Sequence, residues 1–223
     1  MEQGLFLEKL CELLDTKSFI FHNKELDVYF GKYRNHNIAV TVAPFSPHIA
    51  IKIEEVSRNT VLPKILRLGT CGGLQQNQKI GDVIICTDAI RGDGCSKLYV
   101  SESFPATADY NLTNELIANF KKEDIPYTIG TLWSNDARYV EKDEDVIKFS
   151  NLNVLGVEMD TSCLFVVSRS RKVKSSSISI VSDLPINELG SDVKGDRENC
   201  TFENLVMPSV EKSLKVILDT IIE

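Results

Sequence analysis

Between Ile65 and Gly94 the chain carries two short apolar runs separated by a turn with few side chains. The first run, Ile65-Leu66-Arg67-Leu68, leads into Gly69-Thr70-Cys71-Gly72-Gly73. The second, Gly81-Asp82-Val83-Ile84-Ile85-Cys86, leads on to Arg91-Gly92-Asp93-Gly94. Three glycines in five residues let backbone come close to a ligand and permit positive φ. Successive N–H groups in such a turn form a concavity that suits an anion. Arg67, three residues before Thr70, brings a fixed cation and a hydroxyl to the same oxyanion. A tight strand-to-loop turn with Arg67 paired elsewhere accounts for the same residues. The stretch has neither the Gly-Lys-Ser/Thr of a P-loop nor the Gly-x-Gly-x-x-Gly of a dinucleotide site.

The rest of the chain alternates strand-like and helix-like segments. Residues 2–15 place Leu5, Leu7, Leu10, Leu13 and Leu14 near one helical face. Strands are expected at 19–22, 26–31 and 38–43, and Ser46 is expected to cap a helix carrying Ile49, Ile51, Ile53 and Val56. Buried strands follow at 65–69 and 83–89, and 91–110 reads as mostly loop. Helices at 111–122 and 143–149, with strands at 128–133 and 154–157, precede a helix ending near Arg169. A strand at 173–182 comes next, then a polar loop at 184–200. Val210, Leu214, Ile217, Leu218 and Ile221 mark the last helix, where Pro208 predicts a kink or a late start. This alternation is the pattern of an α/β protein. At 223 residues the chain is expected to form one domain with a substantial core.

Several function classes are excluded early. A net charge of −7 argues against generic nucleic-acid binding. No apolar run approaches the roughly 20 residues of a membrane span. The start, Met1-Glu2-Gln3-Gly4-Leu5, has no signal-peptide pattern, so a cytoplasmic protein is expected. The six cysteines show no metal-type spacing and read as reduced thiols. The histidines at 22, 36 and 48 assemble no catalytic triad or metal set.

Four candidate sites sit at strand ends, where α/β folds place ligands. Arg67 with Thr70, Cys71 and Gly72 is the first. Glu158-Met159-Asp160 is the second: two carboxylates on a strand-to-helix corner suit a diol such as ribose, although acids also favour a helix's first turn. Asp183 ends an apolar strand, where burial would raise its pKa and make it a general acid; a turn Asp is the plainer reading. Arg197 in Gly195-Asp196-Arg197 is placed to orient that Asp, or is simply a solvated loop residue.

Taken together, these sites resemble the nucleoside phosphorylase family of hexameric purine nucleoside phosphorylases and uridine phosphorylases. The carriers run in order from Gly31 to the C-terminus: Arg67-Leu-Gly-Thr-Cys-Gly-Gly-Leu-Gln, Gly81-Asp-Val, Arg91-Gly-Asp-Gly, Phe104-Pro-Ala-Thr-Ala-Asp109, Ser134-Asn-Asp136, Val157-Glu-Met-Asp160 and Val181-Ser-Asp183. The pattern is closest to protozoan purine nucleoside phosphorylases. The resemblance implies a three-layer α/β/α sandwich whose mixed sheet curls into a partial barrel. It implies phosphorolysis of a purine (deoxy)ribonucleoside, with inorganic phosphate as co-substrate, no other cofactor, no metal, and a homodimer or a hexamer built as a trimer of dimers. Arg67 and Thr70 would bind phosphate, and Lys24 would stand for a neighbour-donated arginine. Cys71, Gly72, Arg138 and Val157 would line the nucleoside site. Met159 and Asp160 would hold the ribose hydroxyls beside Glu158. Asp183 would protonate purine N7, helped by Arg197.

The chain departs from the family at five places. The first strand, ending in Gly-Asp-Pro-x-Arg, has no counterpart among these residues, and its absence leaves a sheet edge for a dimer partner or the N-terminal helix to cover. Lys24 replaces an arginine and loses its bidentate fork. Phe45 stands in a normally Gly-rich turn near the ribose, Asp160 is one methylene shorter than the family's Glu, and Arg138 replaces an aromatic. Besides a phosphorylase, these departures admit a phosphate-independent nucleosidase or a silent member that binds nucleoside or assembles with an active relative.

Overall fold

The computed structural model describes residues 2–22, 27–43, 45–61, 63–190 and 202–223. Helix α1 spans Glu2–Glu12. A three-stranded antiparallel meander follows, with β1 at Thr16–His22, β2 at Asp27–Tyr33 and β3 at His36–Thr41. The β2–β3 turn is made by Arg34 and Asn35, both at positive φ, and Tyr33 pairs with His36 across it. Two left-handed residues in a two-residue hairpin are what the strand twist requires.

Helix α2 (Ser46–Asn59) leads to β4 (Lys64–Gly73) and β5 (Val83–Gly92). Then come α3 (Cys95–Tyr99), β6 (Ala106–Thr107), α4 (Tyr110–Lys122) and β7 (Thr128–Asn135). The chain continues through α5 (Asp143–Asn151), β8 (Gly156–Glu158), α6 (Thr161–Ser170), β9 (Lys174–Asp183) and α7 (Met207–Ile222). The stretch expected to be loop at 91–110 thus contains a helix and a short strand. It is stapled by Arg91, whose guanidinium donates to the carbonyls of Val100, Ser101, Glu102 and Phe104.

The second sheet runs β6-β5-β7-β8-β4-β9, and β5 also pairs antiparallel with β9. That pairing closes β5, β7, β8, β4 and β9 into a mixed barrel, as the resemblance implies. Helices cover it on both sides, and strand alternation decides which side chain meets which layer. Ile84 and Cys86 join α2 and α6, with Ile49, Ile53 and Leu164. Val83 and Ile85 join α4 and α7, with Leu116, Phe120, Val210 and Leu214. The meander packs on α7 through Tyr33, Ile38 and Leu218.

One helix start differs from the sequence expectation and another follows it. Ser46 does not cap α2: Phe45 is the cap residue and makes no side-chain bond. The buried Ser46 hydroxyl instead donates to the Met159 carbonyl at 2.5 Å, trading a local cap for a tie to the β8–α6 corner. Pro208 acts as a late start, lying in the first turn of α7 after a π-helical turn at Phe202–Val206. A missing N–H is harmless at that position.

Among the described residues one edge of β4 is only partly paired. Along β4, β9 pairs one side from Lys64 to Gly72, whereas β8 reaches only Gly72 and Gly73 on the other. Helix α1 reaches the same region with Phe6, Leu7 and Leu10 but supplies no strand pairing.

Candidate active site

A cavity of about 1200 Å³ opens between β3 and β4. Every residue from Ile38 to Ala43 and from Lys64 to Gly72 lines it. Neighbours on a strand point to opposite faces, so an unbroken lining run means that the cavity follows the two strand edges. Its inner end is where chemistry-bearing side chains collect: Arg67, Thr70, Cys71 and Gly72 from β4, Glu158, Met159 and Asp160 from the β8–α6 corner, Asp183 from β9, and Arg138 with Val157. These residues are spread over 117 positions of sequence and converge because β4, β8 and β9 are neighbours in the barrel.

Arg67 is the hub. Its side chain is 13% exposed and its Nη2 lies 2.7 Å from Asp160 Oδ2 and 3.3 Å from Glu158 Oε2. Nη1 donates to Ser179 Oγ at 3.4 Å. Gly69 makes this possible: a Cβ there would stand 2.4–2.5 Å from the guanidinium atoms. Burial disfavours the Arg67 charge, but Asp160 and Glu158 outweigh it and hold the group more firmly protonated than usual. For Asp160 the balance is reversed. Burial pushes its carboxyl up to about 6, although Arg67 opposes the shift.

The two carboxylates differ in what they have left to offer. Glu158 Oε1 accepts from the Ser134 hydroxyl at 2.5 Å and from Thr161 N at 3.1 Å. Its Oε2 accepts from Asp160 N and Thr161 N, both at 2.9 Å. Glu158 is therefore fully engaged in holding the N-terminus of α6. Asp160 has one oxygen on Arg67, and the other, Oδ1, is buried with no hydrogen-bond partner. A buried acceptor without a donor is costly, so this oxygen is the one suited to a ligand hydroxyl.

Asp183 is 8% exposed, and its Oδ1 lies 2.8 Å from the Ser182 hydroxyl. It pairs in register with Gly72 across a bulge. A Cβ on Gly72 would meet Pro185 at 2.7 Å and Asp183 Oδ2 at 3.3 Å, so the absent side chain makes room first for the Pro185 ring and leaves the carboxyl in close contact with the turn. Phe45 is half exposed on the cavity wall. Arg138 sits in a 3-10 turn at Arg138–Val140. Lys24 and Arg197 lie outside the described residues.

Sequence reasoning missed the groups that brace this corner. Ser134 orients Glu158 and accepts from Ser162 N at 2.8 Å. Asp93, fully buried, accepts from Ser96 N at 2.6 Å, from the Ser96 hydroxyl at 2.8 Å and from the Ser162 hydroxyl. Both residues lie within motifs the sequence shows, but a serine's role as a brace has no local signature. The thiols near the site are poor nucleophiles. Burial pushes Cys86, Cys95 and Cys163 above the ordinary thiol range, which leaves thiol and not thiolate. All five described cysteines are free. No His/Cys/Asp/Glu group suited to a metal occurs among the described residues.

Comparison with known proteins gives a consistent result. The sequence model of the phosphorylase superfamily matches residues 3–223. The chain is 32% identical over 218 residues to a purine nucleoside phosphorylase of Plasmodium vivax, covering 96% of this chain and 85% of that protein. It is 28% identical over 216 residues to a guanosine phosphorylase of Halorubrum lacusprofundi, covering 96% and 88%. Among solved structures, a uridine phosphorylase from Vibrio fischeri superposes with a TM-score of 0.86 at 25% identity, covering 97% and 86%. The P. knowlesi homologue of the P. falciparum purine nucleoside phosphorylase superposes with a TM-score of 0.79 at 28% identity, covering 96% and 82%.

Proposed function

The chain belongs to the phosphorylase superfamily, and from that premise we propose that it is a purine nucleoside phosphorylase. The reaction would convert a purine (deoxy)ribonucleoside and inorganic phosphate into free base and (deoxy)ribose 1-phosphate. The observation that carries this reading is the shared cavity: a buried acid, Asp183, a cation, Arg67, and a carboxylate with an open oxygen, Asp160, all line it. The named relatives, purine nucleoside and guanosine phosphorylases, support the same chemistry.

In this reading the C1′–N9 bond breaks as positive charge grows on the ribose and negative charge grows on the base. Asp183, protonated in the reacting complex, donates to purine N7 and relieves the second. Phosphate, held by Arg67 and Thr70 with Lys24, lies against the first and forms the new C1′–O bond. Groups that meet charge only as it develops lower the barrier, not merely the ground state. Asp160 Oδ1 and Met159 hold the ribose hydroxyls, and Glu158 keeps Asp160 in place. Cys71, Gly72, Val157 and Arg138 line the base, and Arg197 assists Asp183. Phosphate is a co-substrate, with no cofactor. A cytoplasmic homo-oligomer, dimer or hexamer, completes the proposal. Among the described residues no helix is long and apolar enough to cross a membrane.

The test is base release from inosine, adenosine and guanosine by the purified protein, with and without phosphate. Release that requires phosphate supports the proposal. Equal release without phosphate would make the protein a nucleosidase, and no release from folded protein would make it a binding subunit.

A further inference from the structure

Arg67 is the candidate phosphate ligand, yet its Nη2 is already met by two carboxylates, Asp160 at 2.7 Å and Glu158 at 3.3 Å. One guanidinium against two ionised carboxylates is a net negative site, which repels an anion. We infer that Asp160 competes with phosphate for Arg67, so that an anion binds as the Asp160 carboxylate takes up a proton and lets go of the guanidinium. The inference rests on the reading of Arg67 as a phosphate ligand.

Of the two carboxylates, only Asp160 can yield. Glu158 is clamped by the Ser134 hydroxyl and by the amides of Asp160 and Thr161. Asp160 is held through one oxygen, and its other oxygen has no partner. Its surroundings favour the neutral form. Glu158 from β8 and Asp136 beyond β7 both bear on it with like charge, and Arg67 from β4 is the opposing cation. Asp183 at the end of β9 lines the same cavity. Cys163 on α6 stays a thiol. Helix α2 contributes Lys52, a second cation whose ammonium donates to Thr41 Oγ1 at 2.5 Å, and His48, whose Nδ1 is buried without a partner. With its carboxyl at about 6, Asp160 takes up a proton readily just below neutrality. A ribose hydroxyl donating to Oδ1 would weaken the hold on Arg67 in the same direction, so nucleoside and phosphate would help each other bind.

The experiment is calorimetric titration of the full-length protein with inorganic sulfate from pH 8 to pH 5. Sulfate keeps a constant charge over this range, unlike phosphate. In the wild type the affinity should rise about tenfold per pH unit down to about pH 6 and then level off, the slope for uptake of one proton. Asp160→Asn should bind sulfate at pH 7.5 at least tenfold more tightly than wild type, with no dependence on pH. Asp160→Ser is the second variant, and thermal melts confirm that each is folded. A merely structural Asp160 would not flatten the pH profile. Sulfate binding that is independent of pH in the wild type, or unchanged in both variants, would overturn the inference and leave the phosphate site standing. No sulfate binding by any of the three folded proteins would overturn both together.

Discussion

Two acids at the inner end of the cavity are asked to do different work, and single substitutions separate them. Asp183 stands beside the Gly72 turn and accepts from the Ser182 hydroxyl through Oδ1. Asparagine there keeps the shape and loses the transferable proton. Asp183→Asn should lower kcat for purine release by about 10²–10⁴-fold while the nucleoside KM stays within a few-fold; activity within a few-fold of wild type would remove the general-acid role. Asp160 leaves its mark on stability. Its carboxyl sits at about 6 when folded and near the ordinary aspartate value of about 3.9 when unfolded. Between those values the folded state binds more protons, so this group's stabilisation is complete below about pH 4 and is lost as pH rises through about 6. The full span is up to about 3 kcal/mol. Urea unfolding of wild type and Asp160→Asn at pH 4 to 7 should therefore give curves that diverge by an amount of that order. Parallel curves would place the carboxyl at its ordinary value.

At the scale of the element, the β8–α6 corner and the edge of β4 explain how these residues are held. Glu158 satisfies the first amides of α6, and the Ser134 hydroxyl from β7 fixes Glu158 in turn. Ser134→Ala leaves one carboxylate oxygen short of a donor and Ser162 N short of an acceptor. Buried groups left unpaired cost about 1–3 kcal/mol, so the melting temperature should fall by roughly 2–10 °C in a chain of this size. A melt unchanged within 1 °C (roughly 0.3–0.5 kcal/mol here) would mean that water or another donor replaces the hydroxyl. The edge of β4 makes a different prediction. Parallel pairing with β9 leaves alternate amides between Ile65 and Gly69 pointing toward the cavity. Native-state hydrogen exchange should show alternation there, the cavity-facing amides exchanging far faster than those bonded to β9. Uniform protection along β4 would show that another strand pairs this edge.

For the molecule as a whole, light scattering should report a mass at least twice the 25.0 kDa of one chain if the proposed homo-oligomer is right; a monomer at micromolar concentration would overturn that part of the proposal. Much of the design was legible in the chain itself. Apolar runs of strand length, helical periodicity and small-residue turns set the order of strands and helices, because alternation and periodicity are local properties. The glycines at 69 and 72 pointed to close approach, and the structure shows what approaches: the Arg67 guanidinium at one, Pro185 and Asp183 at the other. What the chain could not show is anything that depends on two distant segments meeting. The β5–β9 pairing that closes the barrel joins residues about 95 positions apart, and no window of sequence contains it. The same holds for Ser46, which reads as a cap and serves instead as a tie to Met159. It holds for Glu158 and Asp160 as well, two carboxylates alike in sequence. Only folding places one among three donors and leaves the other with an open oxygen beside Arg67. Burial and partner count belong to the three-dimensional arrangement, and they decide which acid is a brace and which is free to act.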